Sequence, residues 1–473
     1  MTHNRNVFDI VMAEIFRNFR WHQSRNMTKR LSILSAAGAI TLSLAFCGTA
    51  SGQSSDALID KLVEKGILTV KEATELREEA DKGFTQAHAA KSGLPDWVSS
   101  LKLNGDFRAR YDGIYSDIPG LVDRHRARLR LRFGATASLT DDIEVGFRLA
   151  SAASTGGDNG GDPISTNETL GNNGNRKAIG LDLAYAKWSP VQTPEWNGSF
   201  TFGKFENPFS FSEMLFDNDY TPEGFAEQFS FNPDNRQSLK LNFGQFVLDE
   251  SSSSSRDAYM LGGQVRLDST WNEKWQSTMS LAGLSILNPR SLTSGAVPNV
   301  GRGNTRTAAG VLLNDYNLVI ADAAIVHNFG GAPFYEGAFP VRLGVEYIHN
   351  FGASEKNRAY GFGPTFGKAG KKGTWEFSIK YKELQADSVY EETVDSDYGA
   401  VYAGRPVYEP VGGSFPAYHS GVNIRGPVFR FSYSPRDFLT FSAMYAYAHL
   451  IDEVPLGSDS DGGHLVIDGV FKF

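Results

Sequence analysis

From Leu101 to the C-terminus the chain alternates apolar and polar residues with a period of two. In "LKLNGDFRARY", Leu101, Leu103, Phe107, Ala109 and Tyr111 share one face while Lys102, Asn104, Asp106, Arg108 and Arg110 share the other. The same alternation returns in "DIEVGFRLA", "VRLGVEY", "WEFSIKY" and "LTFSAMYAY". Turn signals between such runs predict strands near 101–112, 123–138, 142–152, 177–189, 198–206, 224–232, 237–248 and 257–270. The second half adds 274–287, 314–328, 341–352, 358–367, 373–385, 419–434, 438–450 and 463–473. That makes about sixteen, an even number, as closed bacterial membrane barrels require. Gly426 and Pro427 predict a bulge within 419–434.

Connection lengths test this independently, because such barrels alternate short turns at one end with long loops at the other. "TDD", "NEK" and "PRD" are tight, whereas the stretches 153–176, 288–313 and 386–418 are long. With the N-terminus on the periplasmic side, all three long loops fall outside and the three turns inside. The expected fold is an all-β, transmembrane, antiparallel barrel occupying 96–473. Its last strand, "HLVIDGVFKF", places Leu465, Ile467, Gly469, Phe471 and Phe473 on one face. A final strand ending in Phe473 resembles the signal that hands such proteins to the barrel-insertion machinery.

Only one region is helical in pattern. Across 55–82, Leu58, Ile59, Leu62 and Val63 form one amphipathic turn set, Gly66 interrupts it, and Thr69 with Glu72 makes a capping box. This predicts a periplasmic helical hairpin and linker over 53–95, whether packed on itself, on a partner or on the envelope. Ahead of it, 27–52 reads as a cleavable secretory signal peptide: Lys29 and Arg30, an apolar stretch over 31–46, then small residues. The segment 1–52 is thus extension plus leader, with the start at Met1 or Met27. A lipoprotein reading of "LAFCG" stands as the lesser alternative. Beyond the leader, no apolar run reaches the ~18 to 20 residues of a membrane helix.

Composition adds exclusions. The single cysteine, Cys47, falls in the leader, which removes disulfide and thiolate chemistry from the mature chain. The formal net charge of -8 argues against a nucleic-acid partner, since basic residues are concentrated locally. The nine histidines show no metal-ligand spacing, and no G-x-S-x-G occurs, so neither cofactor nor enzymatic activity is expected. "DNGGD" at 158–162 offers oxygen ligands for Ca2+ but reads better as a flexible loop. Trp188, Trp271, Trp275 and Tyr447 sit where interfacial aromatic girdles would lie.

The candidate chemistry is electrostatic. "RHRARLRLRF" carries Arg124, Arg126, Arg128, Arg130 and Arg132 at alternate positions. Side chains two apart on a strand are ~6.7 Å apart, and like charges at that spacing repel by roughly 0.6 kcal/mol in water and more in a drier medium. The ladder must therefore be hydrated or counter-charged. Lipid is excluded, since each Arg at a bilayer midplane costs ~2 to 4 kcal/mol. With Arg108, Arg110 and Arg148 in the same phase, three adjacent strands form a basic wall facing a lumen, and about sixteen strands leave an aqueous channel. After the fifth strand, the segment near 207–223 concentrates Glu213, Asp217, Asp219 and Glu223, with Glu227 beyond. Folded inward, it sets carboxylates opposite the arginines; left outside, it is an acidic loop.

Together, "LIDKLVEKGILTVKEATELREE", "LKLNGDFRARY", "GKFENPF", "DNDYTPEGFA", "FVLDESS", "DSDYG" and "YSPRDFLTFSAMYAY" resemble the bacterial outer-membrane family of putative porins. The resemblance implies a passive diffusion channel in the outer membrane, embedded in lipid, carrying small hydrophilic solutes or ions, and assembled as a homotrimer as in general porins. The arginine wall favours anions, and the acidic loop opposes that preference. A closed structural envelope barrel tethered by its N-terminal helices, or a barrel hydrolase, are the alternatives.

Overall fold

The computed structural model describes residues 95, 97–116, 122–151, 161–252, 254–299, 301–399, 420–452 and 461–473. The leader and the helical hairpin expected over 55–82 lie outside the described residues, as does most of "DNGGD".

Seventeen strands follow in chain order: β1 (Val98–Ser116), β2 (Arg124–Leu139), β3 (Ile143–Ser151), β4 (Glu168–Thr169), β5 (Ile179–Gln192), β6 (Trp196–Lys204), β7 (Glu223–Asp234), β8 (Gln237–Asp249) and β9 (Ala258–Thr270). The rest are β10 (Trp275–Leu287), β11 (Asn317–Phe329), β12 (Phe339–Asn350), β13 (Arg358–Gly367), β14 (Thr374–Leu384), β15 (Ile424–Arg436), β16 (Leu439–Leu450) and β17 (Asp461–Lys472). β4 is a two-residue stretch of loop lying against β2. The other sixteen pair antiparallel, each with its chain neighbour, and β17 returns to β1 to close the barrel.

Every predicted strand has its counterpart, displaced at most by a few residues at the ends. The connections keep the predicted alternation. Those between β2 and β3, β5 and β6, β7 and β8, β9 and β10, and β15 and β16 hold two to four residues. At the same end, the two between β11 and β12 and between β13 and β14 are somewhat longer. The long connections 152–178, 205–222, 288–316 and 385–423 all leave from the opposite end.

One expectation fails. Gly426 and Pro427 keep register with β14, and the β15–β16 ladder only skips them; the irregularity lies instead between Tyr433 and Arg436, around Pro435. Proline lacks the N–H that the β16 side would need, but its fixed φ still fits an extended strand.

The barrel is inverted relative to a soluble protein. Leu103, Phe133, Phe202, Met279 and Phe362 are exposed on the outside, whereas Arg110, Asp112, Arg130 and Asp468 are buried within. An apolar surface that encircles the molecule suits hydrocarbon, not water. Trp97, Trp188, Trp196, Trp271 and Trp275 stand exposed at the short-turn end, as an interfacial belt requires. Tyr447 is at the other end, where its hydroxyl donates to Asp461 Oδ2 at 2.6 Å.

Candidate functional site

The phase that turns Leu129, Leu131 and Phe133 outward turns the arginines of β2 inward. Register then decides their partners: Asp106 pairs with Arg132, Arg108 with Arg130, Arg110 with Arg128, and Asp112 with Arg126. β1 therefore supplies a carboxylate at each end of its own arginine pair, in the same phase. Arg126 and Arg128 both reach Asp112 Oδ2, at 2.7 and 3.2 Å. Arg130 and Arg132 both reach Asp106, at 2.8 and 2.6 Å. On the other flank, Asp468 of β17 takes a bidentate grip from Arg110 at 2.8 and 2.9 Å. Arg148 is held by Asp182 and Glu206. The basic wall expected from the arginines thus carries its own counter-charges, because the aspartates of "DFRARYD" and "VIDG" share the arginines' phase.

The remaining charge comes from two loops. Residues 205–222 connect β6 to β7, yet Glu213 accepts from Lys382 Nζ of β14 at 3.0 Å and from Arg430 Nη1 of β15 at 2.8 Å. Those strands lie eight places around the sixteen-strand ring, and their charged side chains have the inward phase. The segment spans the interior. It is packed at both ends through gaps left by small residues. A β-carbon at Gly262 would lie 2.7 Å from the Phe209 ring, and one at Gly361 would lie 2.9 Å from Met214 Sδ. Phe209, Phe216 and Tyr220 then stack in series, and the Phe209 ring meets Phe246 edge-on.

A second loop, 385–399, meets the first: Asp217 N–H donates to Thr393 O at 2.7 Å, and Asp395 N–H to Glu213 O at 3.3 Å. Both loops carry the same device. In Asp217-Asn218-Asp219 and in Asp395-Ser396-Asp397, the first carboxylate accepts from the backbone N–H of the second aspartate, at 2.7 and 2.9 Å. The second aspartate is thereby aimed at the ladder. Asp219 takes Arg130 Nη1 at 2.9 Å and Arg132 Nη1 at 3.3 Å, and Asp397 takes Arg110 Nη1 at 2.7 Å. Arg108 donates to Asn167 Oδ1 at 2.5 Å and lies 3.8 Å from Asp219. Around these groups is a cavity of about 250 Å³, lined by Arg108, Arg110, Arg430 and the loop carboxylates.

The loop carboxyls titrate apart. Burial, with Asp395 and Asp219 beside it, pushes Asp217 well above the ordinary carboxylate range. Burial and the neighbouring Glu213 raise Asp395 to about 6, with Lys382 opposing. Burial works against the charge of Asp397 as well, but Arg110 and His464 overcome it and hold Asp397 at about 2. Glu213 is likewise held low against burial by Lys382 and Arg430.

Two of the predicted loop acids fall elsewhere. Glu223 is the first residue of β7, in register with Lys204 and largely exposed beside it. Glu227, further along β7, has the outward phase of Phe225 and Phe229 and accepts from Gln245 at 3.0 Å. Period two, once β7 begins, leaves no choice in this. Missing from the sequence reading were the counter-charges Asp106, Asp112 and Asp468, the second loop, and the far-wall cations Lys382 and Arg430. The four acids in "EETVDSD" were the one visible signal for the second loop.

Among solved structures the chain is similar to a loop-deletion form of OmpT, an outer membrane protein of Vibrio cholerae, at 10% identity, covering 79% of this chain and 99% of that one, with a TM-score of 0.42. It is similar to Pseudomonas putida OprB at 11% identity, with 82% and 97% covered and a TM-score of 0.44. A triple mutant of the Rhodopseudomonas blastica porin gives 10% identity, 79% and 100% coverage, and a TM-score of 0.39. No curated protein matches the sequence. Residues 120–287, which contain the arginine ladder, the first interior loop and every strand from β2 to β10, match the family described as putative porin, and over this stretch the chain is similar to that family.

Proposed function

We propose that the chain is an outer-membrane diffusion channel for small hydrophilic solutes and ions, working without energy input. The observation that carries this is a closed sixteen-strand barrel whose apolar outside fits lipid while its charged inside is crossed by a carboxylate-bearing loop. The short-turn end faces the periplasm and the long loops face outward.

Passage is governed by size and by the field at the narrowing. Arg108, Arg110 and Arg430 face Asp217, Asp219, Asp395 and Asp397 around one cavity. In a water-filled gap flanked by protein of low dielectric such a field orients dipolar solutes. Because Asp106, Asp112, Asp182 and Asp468 already neutralise much of the ladder, selectivity at this wall is close to balanced instead of strongly anionic.

The test is reconstitution of the purified mature chain in a planar bilayer, with conductance and reversal potential recorded across a salt gradient. Large stepwise conductance is expected. Silence from a correctly folded barrel would overturn the reading and favour a closed envelope barrel.

A further inference from the structure

The loop 205–222 divides the interior, and the compartment on its other side differs from the first. It is a cavity of about 330 Å³ beneath Glu213 and Met214, bounded by β9, β11, β12, β13 and β14. On the first side, Arg108, Arg110, Arg126, Arg128, Arg130 and Arg132 each have a carboxylate or amide partner. In the second, Arg342 of β12 and Lys380 of β14 make no side-chain hydrogen bond and no ion pair among the described residues, although both point inward.

Their setting is shaped for something to sit between them. Gly344 of β12 pairs with Gly363 of β13, and Gly363 lies against Lys380. Two neighbouring inward positions thus carry no side chain. The guanidinium of Arg342 folds over the first gap: a β-carbon at Gly344 would be 2.6 Å from its Nη1 and 3.1 Å from its Cζ. Gly344 and Lys380 are two strands apart, about 10 Å at ordinary strand spacing. That leaves a notch with a glycine floor and a cation on each side.

The carboxylates facing this compartment stand one row nearer the loop and are engaged or set back. Glu213 is held by Lys382 and Arg430, and Asp322 accepts from the Ser280 hydroxyl. Arg266 is paired with Asp268 at 2.8 Å. Glu346 is buried, with Oε1 lacking a partner; it is in register with Gly361, beside Lys382, and not with the notch.

From this geometry we infer that Arg342 and Lys380 form an anion-binding site for a small oxyanion or carboxylate solute, on the wall opposite the arginine ladder. The inference deepens the channel reading and assigns the ladder a different task. The ladder's charges are spent on holding the wall and its loops, while the two unpaired cations meet the solute. A guanidinium offers the planar fork suited to phosphate or carboxylate oxygens, and the ammonium adds a point charge.

The test is calorimetric titration of inorganic phosphate into the full chain folded in detergent, alongside single-channel recording with phosphate added. The folded wild type should bind phosphate, and Arg342→Gln with Lys380→Gln should weaken binding at least tenfold. Lys380→Arg should retain binding, and Lys274→Gln, in a turn, controls for loss of charge alone. Heat-modifiable migration on gels verifies folding of each variant. Equal phosphate affinity in the folded double variant, or no binding by the wild type, overturns the inference. Binding that is lost in the double variant supports it even when the barrel does not conduct, a result that sinks the channel reading alone. Conductance without phosphate binding leaves the channel and removes the site.

Discussion

Glu213 is the point at which the interior loop is fastened to the far wall, and replacing it by Gln tests whether charge or packing holds that loop. Its carboxylate accepts from Lys382 and Arg430 at 3.0 and 2.8 Å, and its side chain is only 13% exposed. Removing one partner of a buried ion pair costs ~3 to 5 kcal/mol, most of it from the charge left behind. Two features place this case at the low end. The Arg430 side chain is 34% exposed and can rehydrate, and Lys382 keeps Asp395 at 3.9 Å. The expected loss is about 3 kcal/mol, or roughly two decades in the equilibrium between docked and released loop. Native-state hydrogen exchange reads this directly at Leu215 and Asp217, whose amides donate to Ser212 O and Thr393 O. Protection at both should fall by about two decades in Glu213→Gln, in the regime where opening is at equilibrium. Glu223→Gln, at an exposed rim pair, should change it little. A fall of less than about fivefold would refute the electrostatic account and assign the loop to the Phe209–Phe216–Tyr220 stack and its hydrophobic burial.

Three other outcomes are expected. Asp217 and Asp395 have raised pKa in the docked loops, so docking favours their protonated forms; the contribution of Asp395 is full below 3.8 and is lost as pH rises through about 6, and Asp217 contributes with the same sign. Asp397 contributes the opposite slope, lost as pH falls through about 2, and open-channel noise should therefore grow from pH 4 to 7 in the wild type and flatten in Asp395→Asn. Arg130→Gln, which leaves Asp106 and Asp219 to share Arg132, should cost ~1.5 to 3 kcal/mol in urea unfolding, whereas Arg124→Gln at the strand end should stay within about 0.5 kcal/mol. Arg306, fully buried, donates to Glu391 at 2.8 Å and to the Leu292 and Gly310 carbonyls at 2.6 and 2.9 Å; Arg306→Gln should expose 288–316 to limited proteolysis while leaving the barrel intact.

The strands were legible because lipid outside and water inside impose the same two-residue period on every one of them. A one-residue error would have put Arg130 in hydrocarbon, so the phase was as readable as the period. The parity of the connections followed from geometry alone. The inward path of 205–222 could be suspected from its acids, but which acids arrive depends on where β7 begins, and Glu223 and Glu227 were lost to that boundary. Asp106 and Asp112 were visible in the arginines' phase, and their role was missed because the ladder was weighed as five charges of one sign. Asp397 and Asp468 could not be assigned to Arg110 from spacing, since loop paths and closure bring them there from far along the chain. Lys380 and Arg342 appeared as ordinary alternating cations; only the two facing glycines and the absence of partners distinguish them.

The pairing of β1 with β17 has a consequence in time. Arg110 and Asp468 are 358 residues apart, and eleven positions of each strand are in register along that seam. Every other junction between staves is a hairpin or a single looped crossing that can form as soon as its two strands exist. Joining the ends of so long a chain costs about 5 kcal/mol in loop-closure entropy beyond a constant term, and contacts of such separation form slowly. The seam is therefore the last event of assembly, and until it forms the sheet has two open edges ready to pair with other chains. Arg110 spends that interval without Asp468, and so must remain in water until closure. A chain shortened before Asp461 would keep its hairpins as far as β15–β16 and lose β17 with the seam, remaining a sticky open sheet that never becomes a tube.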